Sequence, residues 1–392
     1  IPTGFLIPGV YILTFDTMQT KLAAFISDTP AGREAQDILG RCVHCGFCTA
    51  TCPTYQLLGN ELDGPRGRIY LIKSMLEGTA CSKSTLLHLD RCLTCRSCET
   101  TCPSGVEYGR LLEIGRQVAE KVVPRSVVGR LGRRLLVWFL TGGFFPVVLG
   151  LGRSVRRLLP EKVARYIPIR YPVGEIPTTS RTRKMIMLNG CVQSTLNPNI
   201  NAAAARVLDR LGINLIRASG AGCCGALPLH LSNEDRARQA MRRNIDAWLP
   251  LLESGAECIV MTASGCGVTV KEYGQVLADD SEYAEKARRV SSVTRDLTEI
   301  LLREPMTASL AGRGMRVAVQ TPCTLQHGQG INGSIEEILT RLGFEQATVE
   351  NSHLCCGSAG SYSILQSAIA NRLRKNKLTA LQADGPSVIA PA

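Results

Sequence analysis

The chain of 392 residues carries 45 Lys and Arg against 33 Asp and Glu, a formal net charge of +12, and 45% of its residues are hydrophobic. This length and composition suffice for two or three packed domains and exclude a disordered or fibrous protein. Seventeen cysteines, an odd number held mostly in tight clusters, indicate thiols that serve metal in a reducing cytosol rather than disulfides.

The first seventeen residues differ in character from the rest. They are apolar but interrupted by Pro2 and Pro8, and they lack the basic start and small-residue cleavage site of a secretory leader. Met18 would make a natural start. We therefore expect residues 1–17 to be an extraneous or disordered leader.

Eight cysteines then form two copies of one motif, CVHCGFCTATCP and CLTCRSCETTCP, fifty residues apart. In such a run, three thiolates on one loop reach one iron-sulfur cluster, and the fourth cysteine, before proline, reaches the other. The motif therefore predicts two 4Fe-4S clusters with exchanged fourth ligands. The first would be held by Cys42, Cys45, Cys48 and Cys102, and the second by Cys92, Cys95, Cys98 and Cys52.

The alternative for these runs is a pair of structural zinc sites. Zinc coordination by C-x2-C pairs, however, does not explain the third cysteine of each run or the cysteine before proline. The segment between the runs, from Pro53 to Arg91, is longer than a compact two-cluster ferredoxin has, so we expect a helical ferredoxin-type domain over residues 18–120. Arg66 and Arg68 either offset the charge of a thiolate-ligated cluster or make ordinary surface contacts. His44 is expected to neighbour the site or lie at the surface rather than to be a ligand.

Residues 121–183 form a basic, partly apolar connecting segment. Residues 110–184 hold sixteen Lys and Arg against four Asp and Glu, whereas the remainder balances at 29 against 29. Within the segment, the stretch LLVWFLTGGFFPVVLGLG lies between arginines and is broken by Gly142, Gly143 and Pro146. It could span a membrane, lie as a hairpin in an anionic interface through residues 130–157, or pack against protein. The stretch is apolar rather than rich in aromatic residues that stack on bases, and it has no base-recognition motif, so nucleic-acid binding is not expected.

The remaining sequence contains a second duplication. Cys191 precedes the first CCG by the same interval as Cys323 precedes the later CCG. Apolar runs alternate with helical patterns in both copies: MIMLNG, NLIRAS and CIVMTAS in the first, and RVAVQT, a weaker run near ATVENS, and SVIA in the second. The pattern predicts two α/β modules with parallel sheets, at residues 184–310 and 311–392.

The cysteines of these modules follow the strands, and the carboxyl ends of parallel strands share one edge of a sheet. Cys191, Cys223, Cys224 and Cys266 would therefore gather as an additional metal or redox site. In the second module Cys323, Cys355 and Cys356 form an incomplete site, because the position equivalent to Cys266 falls beyond residue 392. Buried structural cysteine is the alternative, and it is the expectation for Cys81 and Cys258, which have no counterparts in the repeats.

The stretch GAGCCG also matches a dinucleotide-binding G-x-G-x-x-G fingerprint. The second module argues against that interpretation, because HLCCGSAG keeps the two cysteines and the glycine that follows them but loses both upstream glycines. The duplication therefore preserves thiols rather than a phosphate-binding turn.

After Met18 the chain resembles the iron-sulfur subunit of bacterial glycolate oxidase over nearly all of its length. The motifs that carry the resemblance are CVHCGFCTATCPTYQLLGNELDGPRGRIYLIK, HLDRCLTCRSCETTCPSG, TASGCG, PCTLQHGQ and SHLCCGSAGSYS. The resemblance implies two ferredoxin-type clusters, cysteine-rich modules like those of heterodisulfide reductase, and partner subunits that hold FAD and oxidise glycolate. The family continues past residue 392 with another strand-end cysteine, so the second module is expected to be C-terminally incomplete.

From this resemblance we expect an electron-transfer subunit with no catalytic residue of its own, peripheral on the cytoplasmic face of the inner membrane and delivering electrons to quinone. Two alternatives stay open. One is the equivalent subunit of a lactate, other 2-hydroxy-acid or glycerol-3-phosphate dehydrogenase. The other is a catalytic thiol or cluster protein that acts as heterodisulfide reductase does.

Overall fold

The computed structural model describes residues 18–305, 312 and 314–391, so the expectation for residues 1–17 lies outside the described residues. Its contacts divide the chain into two compact units. The first comprises residues up to Cys92 together with Ser97–Val123, and the second comprises Leu93–Arg96 together with the chain from Pro124 onward. The mixed helical and parallel-sheet fold predicted from the sequence is confirmed.

In its described part the first unit is helical. Thr29 begins α1 by accepting a hydrogen bond from the Gly32 amide, and Ser82 and Thr85 form a capping box at α5. Gly115 allows α7 to approach α4, because a Cβ there would lie 2.6 Å from Ile72 Cγ1. The helices are α1 (Pro30–Gly40), α2 (Phe47–Ala50), α3 (Pro53–Leu58), α4 (Pro65–Leu76), α5 (Lys83–Asp90), α6 (Ser97–Thr100) and α7 (Tyr108–Val122), with a 3-10 turn at Glu61–Asp63.

The connecting segment folds into two main helices that meet at a sharp bend. They are α8 (Val127–Thr141) and α9 (Phe144–Val155), followed by a 3-10 turn at Arg156–Leu158 and by α10 (Glu161–Ala164). Within the described residues no single helix is long and apolar enough to cross a membrane. The pair Val127–Thr141 and Phe144–Leu158 passes that length and composition test only together, with an 81° bend between the two.

The first α/β module contains a four-stranded parallel sheet in the order β2-β1-β3-β4. The first three strands match the predicted apolar runs, and β4 was not predicted. The strands are β1 (Arg183–Met187), β2 (Ile213–Arg217), β3 (Ile259–Met261) and β4 (Thr294–Asp296). The helices are α11 (Gln193–Leu196), α12 (Asn199–Arg210), α13 (Ala226–His230), α14 (Glu234–Glu253), α15 (Ser264–Lys271), α16 (Tyr273–Val276), α17 (Ala284–Ser292) and α18 (Leu297–Arg303).

The second module repeats the arrangement with three parallel strands in the order β6-β5-β7. The weak strand predicted near residues 347–352 is present but short, and it lies just before that stretch, at Glu345–Gln346, with both residues exposed. The strands are β5 (Arg316–Gln320), β6 (Glu345–Gln346) and β7 (Val388–Pro391). The helices are α19 (Ser334–Arg341), α20 (Tyr362–Leu365) and α21 (Ser367–Gln382), with a π-helix at Thr324–Gly328.

Candidate metal centres

The two cysteine loops of the duplicated motif share one backbone conformation. In the first loop His44 and Gly46 have φ angles of 53° and 82°, and at the equivalent positions Thr94 and Arg96 have φ angles of 53° and 60°. Such left-handed backbone conformations are unfavourable for residues other than glycine. The positions are occupied by unrelated residues, so the loop geometry follows from the cysteine spacing rather than from local preference.

The first loop borders a cavity of about 440 Å³, part of it open to solvent. Cys42, Cys45 and Cys48 line it from one motif, and Cys102 lines it from the other. The four cysteines that the sequence assigned to the first cluster therefore surround one space. Its other walls are mostly apolar and include Pro65, Ile69, Val106 and Tyr108.

The chemistry of this donor set fits an iron-sulfur cluster. The cysteines are free thiols, and burial, with smaller contributions from Cys42 and Cys102, raises the pKa of Cys48 to about 12. Thiols in this environment lose their protons when a metal takes them as ligands. Among the described residues no three His, Cys, Asp or Glu side chains converge around a point suited to a single ion. A cluster, being larger, needs its ligands further apart.

The second predicted set has three members in the interior of the helical unit. Cys52, Cys92 and Cys98 are buried, and Cys95 is partly exposed. Tyr108 is buried beside Cys92, and burial together with Cys92 raises the pKa of the Tyr108 hydroxyl. Cys98 also lines the first cavity, which the sequence did not predict.

Arg68 is a buried positive charge beside this second set, with 1% of its surface exposed. Burial lowers the pKa of Arg68, but Tyr108, Cys92 and Cys52 raise it above its ordinary value. Its guanidinium donates to the His88 carbonyl at 2.8 Å and to Thr54 Oγ1 at 3.2 Å. Of the two roles left open for Arg68, the surface contact is therefore wrong.

A network of buried polar side chains connects Cys52 to the rest of the unit, and the sequence did not predict it. Thr54 Oγ1 lies 3.3 Å from Cys52 Sγ and donates to the Asp63 carbonyl at 2.7 Å. The Asp63 carboxylate, fully buried, accepts from His88 Nδ1 and from Arg91 Nη1, each at 2.9 Å. The sequence showed only a turn at this point, because the partners lie 25 and 28 residues away.

Two other residues noted in the sequence lie at the first cavity. Arg66 lines it and forms an ion pair with Glu61 at 2.7 Å while remaining partly exposed, so both roles left open for Arg66 are compatible with its position. The ring of His44 stacks on Tyr70 with centroids 4.4 Å apart. Burial, together with Arg66 and Lys73, lowers the pKa of His44, which keeps the ring neutral near pH 7.

The first α/β module brings its four candidate thiols together at the predicted edge of the sheet. Cys191 follows β1, the pair Cys223 and Cys224 follows β2, and Cys266 lies in the first turn of α15 beyond β3. Neighbouring thiols interact electrostatically in the order Cys191, Cys223, Cys224 and Cys266. The adjacent Cys191 and Cys224 thiols lower the pKa of Cys223 to about 3.

Two buried side chains, which sequence reasoning missed, fix the vicinal pair. Asn244 donates to the Cys223 carbonyl at 2.9 Å and accepts from the Gly222 amide at 2.8 Å. The Tyr273 hydroxyl donates to the Cys224 carbonyl at 2.7 Å. The Gly222 amide is thus used internally rather than offered to a phosphate, which supports rejecting the dinucleotide interpretation.

The second module gathers three thiols and a lysine. Cys323 Sγ lies 3.4 Å from Cys355 Sγ, and a hydrogen bond from the Cys355 thiol lowers the pKa of Cys356 to about 6. Lys377 is buried beside them and donates to the Ser352 carbonyl at 2.6 Å. The equivalent position of the first module holds Ile245, which is fully buried.

The two cysteines without counterparts contact apolar neighbours. Cys258 is buried in a hydrophobic cluster with Met185 and Val260, and burial raises its pKa to about 11. Cys81 packs at the margin of the core of the helical unit. Both positions agree with the structural role expected of them.

Duplicated cysteine loops around a mostly apolar cavity, joined to strand-edge thiol modules, define an iron-sulfur protein of the electron-transfer class. Comparison with protein families supports this class: residues 38–106 match the 4Fe-4S dicluster domain, and residues 185–271 and 317–392 match the cysteine-rich domain. The chain belongs to the family of glycolate oxidase iron-sulfur subunits. It is 51% identical to the glycolate oxidase iron-sulfur subunit of Escherichia coli (strain K12), over 96% of this chain and 93% of that protein.

More distant relatives extend the comparison. The chain is 27% identical to the probable glycolate oxidase iron-sulfur subunit of Bacillus subtilis (strain 168), over 90% of this chain and 86% of that protein. It is 25% identical to lactate utilization protein A of Bacillus licheniformis, over 53% of this chain and 85% of that protein. Family membership establishes an oxidoreductase subunit with an iron-sulfur electron-transfer role.

Proposed function

We propose that this chain carries electrons from an FAD-binding partner subunit, which oxidises glycolate to glyoxylate, to a quinone-type acceptor at the membrane. Membership of the glycolate oxidase family supports the substrate. The cavity enclosed by Cys42, Cys45, Cys48 and Cys102 carries the electron-transfer assignment, because four thiols from two distant motifs meet around one apolar space.

In this proposal Cys42, Cys45, Cys48 and Cys102 hold one 4Fe-4S cluster, and Cys92, Cys95, Cys98 and Cys52 hold a second. Such clusters accept and release single electrons, which suits a relay that divides the electron pair of a reduced flavin. Cys191, Cys223, Cys224 and Cys266 are candidates for a further cluster, whereas Cys323, Cys355 and Cys356 have no fourth thiol assigned. Substrate binding and proton abstraction belong to the partner.

The chain's own residues stabilise charge at these sites. Arg66 at the first cavity and the buried Arg68 near Cys52 and Cys92 offset the negative charge of thiolates. Thr54 and Tyr108 supply hydroxyl groups close to Cys52 and Cys92 respectively. Hydrogen bonds to ligand sulfur raise the reduction potential of a cluster, and apolar walls that exclude water tune it as well.

Iron and acid-labile sulfide analysis, combined with low-temperature EPR of the reduced chain, tests the assignment. We expect about eight iron atoms per chain from the two ferredoxin-type sites, and about four more if the first α/β module is loaded. Cys45→Ser should remove about half of the EPR signal and abolish dye-linked glycolate oxidation by the complex. Cys81→Ser is the matched control and should change neither. Zinc in place of iron would contradict the proposal.

The similarity to lactate utilization protein A favours one second candidate, a complex that oxidises lactate or another 2-hydroxy acid. The purified complex, assayed with glycolate, lactate and glycerol 3-phosphate at matched concentrations, separates these substrates. If kcat/KM for lactate or glycerol 3-phosphate exceeds that for glycolate, that compound is the substrate of the complex instead of glycolate. The electron-transfer role of this chain would remain unchanged.

A further inference from the structure

The helices α8 and α9 each present an apolar face to solvent. On α8 the exposed Val127, Val128, Leu131, Leu135 and Trp138 fall within an arc of about 100° at 3.6 residues per turn. Leu131 is 54% exposed and Trp138 is 46% exposed. Exposed apolar side chains that occur singly around a helix are common and need no partner. A continuous apolar face indicates a surface that contacts another molecule.

The second helix continues this surface. On α9 the exposed Phe144, Val147, Val148, Leu151 and Val155 occupy an arc of similar width, and Leu151 is 64% exposed. The rings of Trp138 and Phe144 lie 5.1 Å apart across the bend, so the two faces join through an aromatic pair. We call this surface, formed by the ten named residues of α8 and α9, the apolar hairpin face.

The opposite sides of the two helices are fixed to the same unit. Val137 and Phe145 are buried, and Arg236 donates to Thr141 Oγ1 at 3.1 Å. Arg153 donates to the Leu196 carbonyl at 2.9 Å, which joins α9 to α11. The exposure of the apolar hairpin face therefore results from a defined orientation of anchored helices.

The charge around this face indicates what covers it. Residues 124–171 contain nine Arg and one Lys against the single acid Glu161. Arg130 and Arg134 are exposed on α8, and Arg157 is exposed immediately after α9. Apolar and aromatic residues flanked by arginines are the composition of helices that lie in the interface of anionic membranes.

We propose that the apolar hairpin face inserts into the headgroup region of an anionic bilayer, with the surrounding arginines contacting acidic lipid headgroups. The 81° bend suits two helices lying in the interface. The inference deepens the proposed function, on which its biological meaning rests, because it assigns a lipid-binding surface to a chain that delivers electrons to a membrane acceptor.

Vesicle flotation of the full, cluster-loaded chain tests the proposal. Vesicles of phosphatidylcholine with phosphatidylglycerol should bind the chain about tenfold or more tightly than vesicles of phosphatidylcholine alone, and high salt should reduce the difference. Leu131→Gln combined with Leu151→Gln should weaken binding to the anionic vesicles by about tenfold. The control is Val207→Gln combined with Leu378→Gln, two exposed apolar residues on other helices, which should leave binding unchanged.

Iron content and circular dichroism of each variant establish that it is folded. Equal binding of the Leu131 and Leu151 variant, or no binding of the parent chain to anionic vesicles, would overturn the proposal. Hydrogen-exchange protection of residues 127–158 on addition of the FAD-binding subunits, without lipid, would overturn it in favour of a protein partner. Dye-linked glycolate oxidation, measured in the same preparation without vesicles, tests the proposed function separately.

Discussion

The two α/β modules have the same strand arrangement but different chemical environments at their cysteines. In the first, four thiols interact with one another, and Asn244 and Tyr273 fix the vicinal pair. In the second, three thiols lie beside the buried Lys377, at a position where the first module has Ile245. The two modules therefore share the backbone arrangement that brings the thiols together, but the side chains around those thiols differ.

Both modules require a glycine directly after the vicinal cysteine pair. Replacing this glycine should lower the free energy of unfolding more than the other substitutions proposed below. Gly225 and Gly357 have φ angles of 92° and 79°, and a Cβ on Gly357 would lie 2.5 Å from the Ala370 carbonyl oxygen. We expect Gly357→Ala to lower the free energy of unfolding by about 3 kcal/mol or more, because strain and overlap combine. Urea denaturation measures this change.

A glycine in the same module supplies the control for that measurement. Gly385 also has a positive φ, of 58°, but a Cβ there would meet nothing within 4 Å. Gly385→Ala should cost only about 1 kcal/mol, from the left-handed conformation alone. Equal losses in the two variants would show that the close approach to Ala370 does not restrict residue 357.

Asn244 distinguishes the modules, and its loss should have the next largest effect. Asn244→Ala removes the partner of two backbone groups and leaves them buried, so we expect a loss of about 2 kcal/mol in the free energy of unfolding. The equivalent residue of the second module is Asn376, which is exposed. Asn376→Ala should change stability by less than about 0.5 kcal/mol. A similar loss in both variants would remove this distinction between the modules.

The thiols of the second module should show a pH dependence in the metal-free chain. Because the Cys355 thiol lowers the pKa of Cys356 to about 6 from an ordinary 9.0, alkylation of Cys356 should rise as the pH passes 6. Cys355→Ala removes that hydrogen bond, raises the pKa of Cys356, and should move the profile upward by about one pH unit or more. Mass spectrometry of iodoacetamide-treated peptides measures the profile, with Cys258→Ala as control.

Replacement of Lys377 should also raise the pKa of Cys356, and this is the smallest of the expected effects. The positive charge of Lys377 also lowers the pKa of Cys356, but less than the Cys355 hydrogen bond does. Lys377→Met should therefore raise the alkylation midpoint of Cys356 by roughly half a pH unit. Lys375→Met, on an exposed side of the same helix, is the control and should leave the midpoint unchanged. An unchanged midpoint in Lys377→Met would show that the lysine does not act on this thiol.

The sequence determined the features that repeat with a fixed spacing. The motifs separated by fifty residues predicted paired cysteine loops, and alternating apolar runs predicted two parallel sheets with cysteines beyond the strand ends. The predicted first set of Cys42, Cys45, Cys48 and Cys102 does surround one cavity. Periodicity suffices here because strand and loop geometry are set by neighbours along the chain.

Only the tertiary structure decided which side chains surround those thiols. The contacts of Thr54 and Arg68 near Cys52, and of Asn244 behind Cys223, could not be predicted from the sequence, because their partners lie roughly ten to twenty-five residues away and meet only when helices pack. The orientation of α8 and α9, which leaves an apolar face outward, likewise depends on anchors such as Arg153 and Thr141. Local sequence sets the pattern of a helix, but the packing of the whole unit sets the direction in which that pattern faces.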